Sequence, residues 1–273
     1  MSESVEHADD VCALPLVRRM AALLDRDPQA VKDGDPLPRG WHVALFNPPT
    51  RQAQLRADGA AHLGVTLPDL GMPRLMMGGR RIDFIGDIPI GARVRRTSRA
   101  GSVAHKSGKS GRFVLVDVEH RICVGDNDAP VLVETNSYVL READNGQAAL
   151  RPVPEPVPIP PADVARIFVP DEAVLFRYSA IADNPHRIHY DLPYAMSEGY
   201  PALVVNGTVP TMFLLEMFRA HVGGEPAGWR SRNLAAILCG APLTLTLSRE
   251  GDAWSMKAHN PLGQIALEAR AWQ

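Results

Sequence analysis

Six prolines within twelve residues limit how this chain can fold. They lie in the segment 151–162, at positions 152, 154, 156, 158, 160 and 161. Proline lacks a backbone N–H and fixes φ, so such a run disfavours a helix interior or a central strand and favours an extended spacer. The segment therefore predicts a linker between two units, residues 1–150 and residues 163–273, each of ordinary domain length.

The second unit contains one long amphipathic segment, residues 208–222. Pro210 falls in its first turn, where proline is tolerated, and Glu216 and Arg219 lie outside its apolar face. The spacing predicts a helix. Its apolar face carries Leu214, Leu215, Phe218 and Val222.

Three strand-like segments follow this helix, at 242–248, 253–259 and 264–272. Turn-forming residues separate them, which predicts consecutive antiparallel hairpins. A long helix followed by an antiparallel sheet is an α+β arrangement, and a sheet wrapped around the helix would bury the apolar face.

The first unit gives similar signals. Apolar residues at helical spacing in 11–24 predict an N-terminal helix. A meander of antiparallel strands is predicted after it, because four segments are β-branched or alternating: 81–84, 93–98, 112–122 and 131–140.

The composition points to a globular protein. The chain has 273 residues, a formal net charge of -2 and 45% hydrophobic residues, so we expect no strongly basic surface for nucleic acid. No run approaches the ~20 apolar residues of a membrane span, and the acidic N-terminus is unlike a secretory signal. We therefore expect a cytoplasmic protein without a membrane partner. Cys12, Cys123 and Cys239 lack the paired spacing of a zinc or redox motif.

The tract 183–189 concentrates polar groups ahead of the long helix. Asp183, Asn184 and His189 supply a carboxylate, a carboxamide and an imidazole, and the Asx and proline residues predict a loop or a single turn. Imidazole can act as an acid or a base near neutral pH, whereas the Asn184 amide can orient water but cannot accept its proton. These groups fit the addition of water to an enoyl thioester.

The same tract also fits roles outside catalysis. It could be a plain surface turn, and His189 could be a buried structural histidine. His186, His189 and Asp191 could also ligate a metal, since they offer two nitrogens and a carboxylate. The tract lacks the general base that a motif such as HExxH supplies in one stretch, so we expect no metal.

Gly207 and Thr208 stand at the start of the predicted helix. Free backbone N–H groups and the helix dipole favour a developing oxyanion there, and glycine allows close approach of a thioester carbonyl. The same two residues are also typical of an ordinary N-cap. Both roles can hold together, with Thr208 as the capping residue.

These residues resemble the MaoC-like, hydratase-2 group of hot-dog enzymes. The motif of that group has an acidic or amide residue five positions before a catalytic histidine, then a His-Gly pair at a helix start. Here those positions are Asn184, His189 and Asn206-Gly207. The tract 178–191, with Leu75-Met-Met-Gly-Gly-Arg-Arg-Ile-Asp-Phe84, is most similar to the mesaconyl-CoA (3-methylfumaryl-CoA) and itaconyl-CoA hydratases. The second half is also similar to mitochondrial hydroxyacyl-thioester dehydratases.

The chain departs from the pattern at two positions. Hydratase-2 enzymes at large carry Asp where this chain has Asn184, and the subgroup often has His where this chain has Asn206. The first departure leaves the identity of the base open.

The resemblance implies a double hot-dog, in which two long helices are each wrapped by an antiparallel sheet and the first unit is catalytically degenerate. It implies His189 as the acid/base, Asn184 as the group that positions water or substrate, and Asp183 as an alternative base. CoA is then part of the substrate, no separate cofactor is needed, and a homodimer is expected. The groups around the thioester and its oxyanion are Asn206, Gly207 and Thr208.

The implied reaction is the hydration of a branched dicarboxyl-CoA, itaconyl-CoA or mesaconyl-CoA, to citramalyl-CoA in itaconate degradation. Its free carboxylate needs a cation, and Arg80, Arg81 and Arg187 are candidates because arginine pairs bidentately with carboxylate. Two other functions stay open. One is a 3-hydroxyacyl-thioester dehydratase of fatty-acid metabolism, and the other is a non-catalytic hot-dog module that binds acyl-CoA.

Overall fold

A computed structural model of the chain describes residues 5–47, 50–60, 65, 70–72, 74–108, 111–142 and 155–273. The strands of the first half are β1 (Val5–Val11), β2 (Arg74–Phe84), β3 (Arg93–Gly108), β4 (Gly111–Val124) and β5 (Leu132–Arg141). Those of the second half are β6 (Val164–Phe168), β7 (Gly228–Asn233), β8 (Leu243–Glu250), β9 (Ala253–His259) and β10 (Ile265–Trp272). These strands form one antiparallel sheet in the order β1-β3-β4-β5-β2-β7-β10-β9-β8-β6.

Four α-helices are described, and the last of them is central. They are α1 (Leu14–Leu23), α2 (Glu172–Ile181), α3 (Leu192–Ser197) and α4 (Thr208–Val222). Leu214, Leu215 and Phe218 of α4 are fully buried, as the apolar spacing predicted. The opposite side of α4 is covered too, since Phe213 stacks on Phe168 of β6 at 3.9 Å between ring centroids. No helix among the described residues is long and apolar enough to cross a membrane.

The two halves repeat one topology. Counted outward from the middle of the sheet, the first half reads β2-β5-β4-β3-β1 and the second reads β7-β10-β9-β8-β6, so each strand has a counterpart five strands later. Helix α1 follows β1 as α2 follows β6. The middle of the sheet is the β2–β7 pair, which runs from Gly79 opposite Arg232 to Asp83 opposite Gly228.

Only one half has a long helix among the described residues, although we predicted one in each. Between α1 and β2 the described residues include three short 3-10 turns, Pro28–Ala30, Trp41–Ala44 and Gln52–Gln54, in place of a counterpart to α4. The sequence gives a physical reason. Prolines at 36, 38, 48 and 49 interrupt this stretch, and each removes a helical hydrogen bond.

Helix α4 packs against both halves. The left-handed Gly40 of the first half lies so close to the Leu215 side chain that a Cβ there would collide with it. Trp41 Nε1 donates a hydrogen bond of 3.1 Å to Glu216 Oε1 of α4. One hydrophobic core therefore runs through both halves, with Met20, Ile82, Leu215, Trp229 and Leu267 among its members.

Candidate active site

The polar tract forms a turn at the end of α2, as predicted. Asp183 adopts a left-handed conformation with φ of 42°, which turns the chain away from the axis of α2. Asn184 Oδ1 then accepts a hydrogen bond of 3.2 Å from the backbone N–H of His186. This Asx turn leads into a 3-10 turn, Arg187–His189.

His189 is buried, and its ring is held in one orientation. Only 7% of the residue is exposed, and Nδ1 lies 2.7 Å from the carbonyl oxygen of Val204. Since a carbonyl can only accept, Nδ1 carries the hydrogen and Nε2 of the neutral ring keeps its lone pair. Burial lowers the pKa of His189 to about 4, and the bond to Val204 opposes this only in part. Near neutral pH the ring is therefore a neutral base.

Val204, which fixes the His189 ring, also connects the histidine turn to the start of α4. The Val204 N–H donates to the Ile188 carbonyl at 2.9 Å, so segment 203–207 runs beside the histidine turn. Three residues beyond Val204, Gly207 precedes the helix. Among the residues that the structure describes, the Gly207 N–H has no hydrogen-bond acceptor. A free N–H at a helix N-terminus is suited to binding negative charge.

Capping at this helix start differs in detail from our expectation. The capping side chain is Asn206, whose Oδ1 accepts from the Thr208 N–H at 2.9 Å. Thr208 is the first helical residue and lines a cavity wall together with the buried Tyr178. Burial raises the pKa of Tyr178, and the Thr208 side chain offsets part of the rise. Thr208 therefore lies where α4 meets α2, and its side chain does not cap α4.

The other predicted groups occupy different positions. Asn184 is half-buried, whereas the Asp183 side chain is exposed. A catalytic base must direct its carboxylate into the site, and the exposure of Asp183 argues against that role. The metal-site alternative gains no support, because Asp191 accepts from the Tyr194 N–H at 3.0 Å and pairs with Arg187 at 2.8 Å. Within the described ranges there is no group of three potential metal ligands.

A loop of the first half also reaches the histidine turn. Asp58 Oδ2 lies 3.9 Å from His186 Nε2, and the Asp58 carbonyl accepts from the Arg187 N–H at 2.8 Å. The His186 ring meets the His189 ring edge-on at 5.5 Å between centroids. Burial lowers the pKa of His186, and Asp58 partly opposes this. No signal in the sequence pointed to Asp58, because about 130 residues separate it from the turn.

A polar cavity of about 170 Å³ lies beside the start of α4. Tyr178 and Thr208 form its wall on the second half. The first half supplies the rest of the lining, including two arginines, two histidines, one carboxylate and one carboxamide near it. These six residues are His42, Arg80, Arg96, His120, Glu134 and Asn136.

Glu134 is buried in this cavity wall and is still ionised. Burial alone would raise the pKa of Glu134, but Arg80 and His42 outweigh it and hold the pKa below its usual range. His42 Nε2 lies 3.2 Å from Glu134 Oε2. Arg80 Nε lies 2.8 Å from Glu134 Oε1 as an ion pair, but the Nε–H of Arg80 is directed to Asn136 Oδ1 at 3.1 Å. Glu134 Oε1 therefore accepts no hydrogen bond from any described residue.

The three arginines predicted to bind carboxylate are thus separated in space. Arg80 lines the cavity. Arg81 is 61% exposed and pairs with Asp83 on the outer surface. Arg187 pairs with Asp191 and lies over the Tyr194 ring. Only Arg80 of the three faces the space beside Thr208.

Comparison with known proteins gives a consistent result. A family model for hydroxyacyl-thioester dehydratase type 2 matches residues 40–239. The chain is 36% identical over 271 residues to mesaconyl-C(4)-CoA hydratase of Chloroflexus aurantiacus, covering 98% of this chain and 94% of that protein.

Solved structures share the fold at low sequence identity. A MaoC-like dehydratase from Phytophthora capsici matches with a TM-score of 0.71 and 14% identity, covering 99% of this chain and 95% of that one. A Mycobacterium tuberculosis protein described as a double hot-dog matches with a TM-score of 0.64 and 11% identity, covering 99% and 95%. The predicted α+β double hot-dog class is confirmed.

Proposed function

The chain belongs to the hydroxyacyl-thioester dehydratase type 2 family of MaoC-like hot-dog enzymes, and on that premise we propose that it adds water reversibly to an enoyl-CoA thioester. The observation that carries the proposal is the link between His189 and the start of α4. One backbone segment holds the histidine through Val204 and then presents the N–H of Gly207, which has no acceptor within the described part of the chain.

In the proposed reaction, His189 acts as both base and acid. Its Nε2 takes a proton from water while the water oxygen attacks the β carbon of the enoyl group. Electrons move to the thioester oxygen, where the Gly207 N–H stabilises the developing charge. The proton on Nε2 then passes to the α carbon. These steps use only groups of this chain and the thioester of the substrate.

Asn184 is proposed to position the water. Its Oδ1 is engaged by the His186 N–H, and its amide N–H groups have no acceptor among the residues that the structure describes, so they can hold a water oxygen. An amide cannot take the proton, and the Asp183 carboxylate is exposed. His189 is therefore the better candidate for the base.

For the acyl group we propose a branched dicarboxyl-CoA. The named activity of the Chloroflexus relative, mesaconyl-C(4)-CoA hydration, supports this choice. Mesaconyl-CoA has its double bond conjugated to the thioester, so water addition at the β carbon gives citramalyl-CoA. Itaconyl-CoA has its double bond outside that conjugation and would require an isomerisation or another protonation path. Participation in itaconate degradation is part of the proposal.

The second candidate is dehydration of unbranched 3-hydroxyacyl thioesters. The family to which the chain belongs, hydroxyacyl-thioester dehydratase type 2, is named for this reaction, which favours it. The same histidine and helix start would serve that reaction in reverse.

A substrate panel tests the choice. Hydration of mesaconyl-C(4)-CoA, itaconyl-CoA and crotonyl-CoA should be measured side by side by mass spectrometry of the products. We expect kcat/KM for mesaconyl-C(4)-CoA to exceed that for crotonyl-CoA by at least about tenfold, the gain expected from one charge-assisted contact. If only crotonyl-CoA were hydrated, the dicarboxylate proposal would be wrong and the second candidate would replace it. The proposed homodimer can be checked on the same preparation by light scattering.

A further inference from the structure

We infer that the polar cavity beside the start of α4 binds the free carboxylate of the acyl group, with Arg96 as the principal binding residue. This inference rests on the proposed function, because it gives the carboxylate of a dicarboxyl-CoA its place. It also assigns a role to buried charges of the first half that the proposed reaction does not use.

The cavity is positioned next to the reacting end of the substrate. Thr208 lines the cavity and directly follows Gly207 in the chain, and Gly207 is the residue proposed to bind the thioester oxygen. In a trans four-carbon enoyl diacid the two carboxyl carbons are roughly 4 Å apart, as are Cα atoms across a trans peptide. When the thioester carbonyl of the substrate lies at the Gly207 N–H, the free carboxylate is therefore within reach of the cavity, which begins at Thr208.

The charges that line the cavity favour an anion. Arg80 and Glu134 compensate each other, and Arg96 adds a second cation. His120 is neutral near pH 7, because burial lowers its pKa to about 4. The two arginines of the lining therefore carry one positive charge more than Glu134 balances; Asp10 and Glu6, which also attract Arg96, lie outside the lining.

Arg96 differs from Arg80 in having no direct carboxylate partner among the described residues. Among the described residues its guanidinium makes no hydrogen bond or ion pair, and its Nε is buried without an acceptor. The group lies over the Phe46 ring at 5.0 Å, and that ring holds it in the cavity wall. Burial lowers the pKa of Arg96, and Glu134 opposes this, but arginine stays charged at neutral pH. A buried guanidinium with an unused donor is suited to a carboxylate, which accepts two parallel N–H groups.

The experiment measures binding separately from turnover. Succinyl-CoA carries a carboxylate at the same chain position and has no double bond to hydrate, and butyryl-CoA is its neutral counterpart. Calorimetry should show tighter binding of succinyl-CoA to the wild type by about 10- to 100-fold. Arg96→Gln should abolish that preference and leave butyryl-CoA binding unchanged. Arg96→Lys should keep part of it.

Arg95→Gln is the matched control. Arg95 directly precedes Arg96 on β3, but its side chain is on the outer surface, where it pairs with Asp128 at 2.9 Å. We expect this variant to keep the wild-type preference. Binding of butyryl-CoA reports in each variant whether the protein is folded.

Each result can be assigned to one hypothesis. Equal binding of the two thioesters by the wild type, or a preference that survives Arg96→Gln, would overturn the carboxylate site. A preference that Arg96→Gln removes would support the site even if mesaconyl-C(4)-CoA were not hydrated, and the acyl group in the proposed function would then be the part that fails.

Discussion

The hydrogen bond from His189 Nδ1 to Val204 decides which nitrogen is available for chemistry. A side-chain partner could move with the substrate, but a backbone carbonyl between two packed segments holds the ring in one orientation. The family resemblance pointed to His189 from its spacing alone. The sequence could not reveal the tautomer, because the partner carbonyl lies 15 residues further along the chain.

Replacing His189 should remove the reaction and leave binding intact. We expect His189→Ala to lower kcat by about 100-fold or more, because one group supplies both proton transfers. Hydration kinetics of the best substrate of the panel, with calorimetric binding of butyryl-CoA, measure the two effects. His221→Ala is the control, since His221 lies at the far end of α4 against Trp254. Turnover close to the wild-type value in His189→Ala would remove His189 from the mechanism.

The pH dependence of kcat/KM should report the burial of His189. The neutral ring is the base, and burial lowers the pKa of His189 to about 4, so the active form persists well below pH 6.5. We expect kcat/KM to stay level from pH 7 to about pH 5 and to fall only near pH 4. Brief exposure to each pH followed by assay at pH 7 separates titration from unfolding. An acidic limb near pH 6.5 would contradict a lowered pKa.

Three cavity residues, Arg96, His120 and Glu134, were not predicted, and strand geometry explains why. Alternation along β5 and β4 places Glu134 and His120 on the buried face, between apolar neighbours such as Leu132 and Ile122. A charged residue in a core position is unusual and is a usable signal. The sequence alone could not show that the two strands bring these residues together with Arg96 of β3.

At the level of elements, the sequence predicted the bounds of a helix or strand well where its apolar residues recur at a regular spacing. The helix predicted at 208–222 has the same bounds as α4, and 253–259 has those of β9. Strand β3 continues to Gly108, ten residues beyond the predicted end at 98. Strands β1, β6 and β7 were not predicted. Strands β1 and β7 are rich in polar residues and β6 has only five residues, so pairing with neighbouring strands decides their structure.

The contact between α4 and the Gly40 turn should contribute measurably to stability. Gly40 and Gly34 both have positive φ, but only at Gly40 would a Cβ meet another side chain, that of Leu215. We expect Gly34→Ala to cost about 1–2 kcal/mol from backbone strain alone. Gly40→Ala should cost about 1–3 kcal/mol more, because the added methyl group overfills the core. Urea unfolding of both variants measures the difference, and equal costs would show that α4 does not pack tightly there.

For the molecule as a whole, the proline-rich segment suggested two units, while the structure joins the halves through the β2–β7 pair and one core. The domain division at 151–162 stays a prediction. The family resemblance supplied the double hot-dog, which local pattern could not, since the pairing of β2 with β7 connects residues about 150 positions apart.

We expect the two halves to unfold in one transition. Trp41→Phe leaves tryptophans only in the second half, so its fluorescence follows that half, while circular dichroism follows the whole sheet. Because the core and the sheet are shared, the two signals should give the same urea midpoint in this variant. A fluorescence midpoint clearly separated from the circular dichroism midpoint would show that the halves are independent domains.

The strand-by-strand correspondence of β1–β5 with β6–β10 is what the duplication and fusion of an ancestral gene would produce. Two identical subunits must line a shared pocket with the same side chains twice. Once fused, each copy mutates alone. One copy could then keep the histidine and the helix start, while the other acquired buried charges. The covalent link makes the pocket asymmetric, and an asymmetric pocket can distinguish the two ends of a substrate.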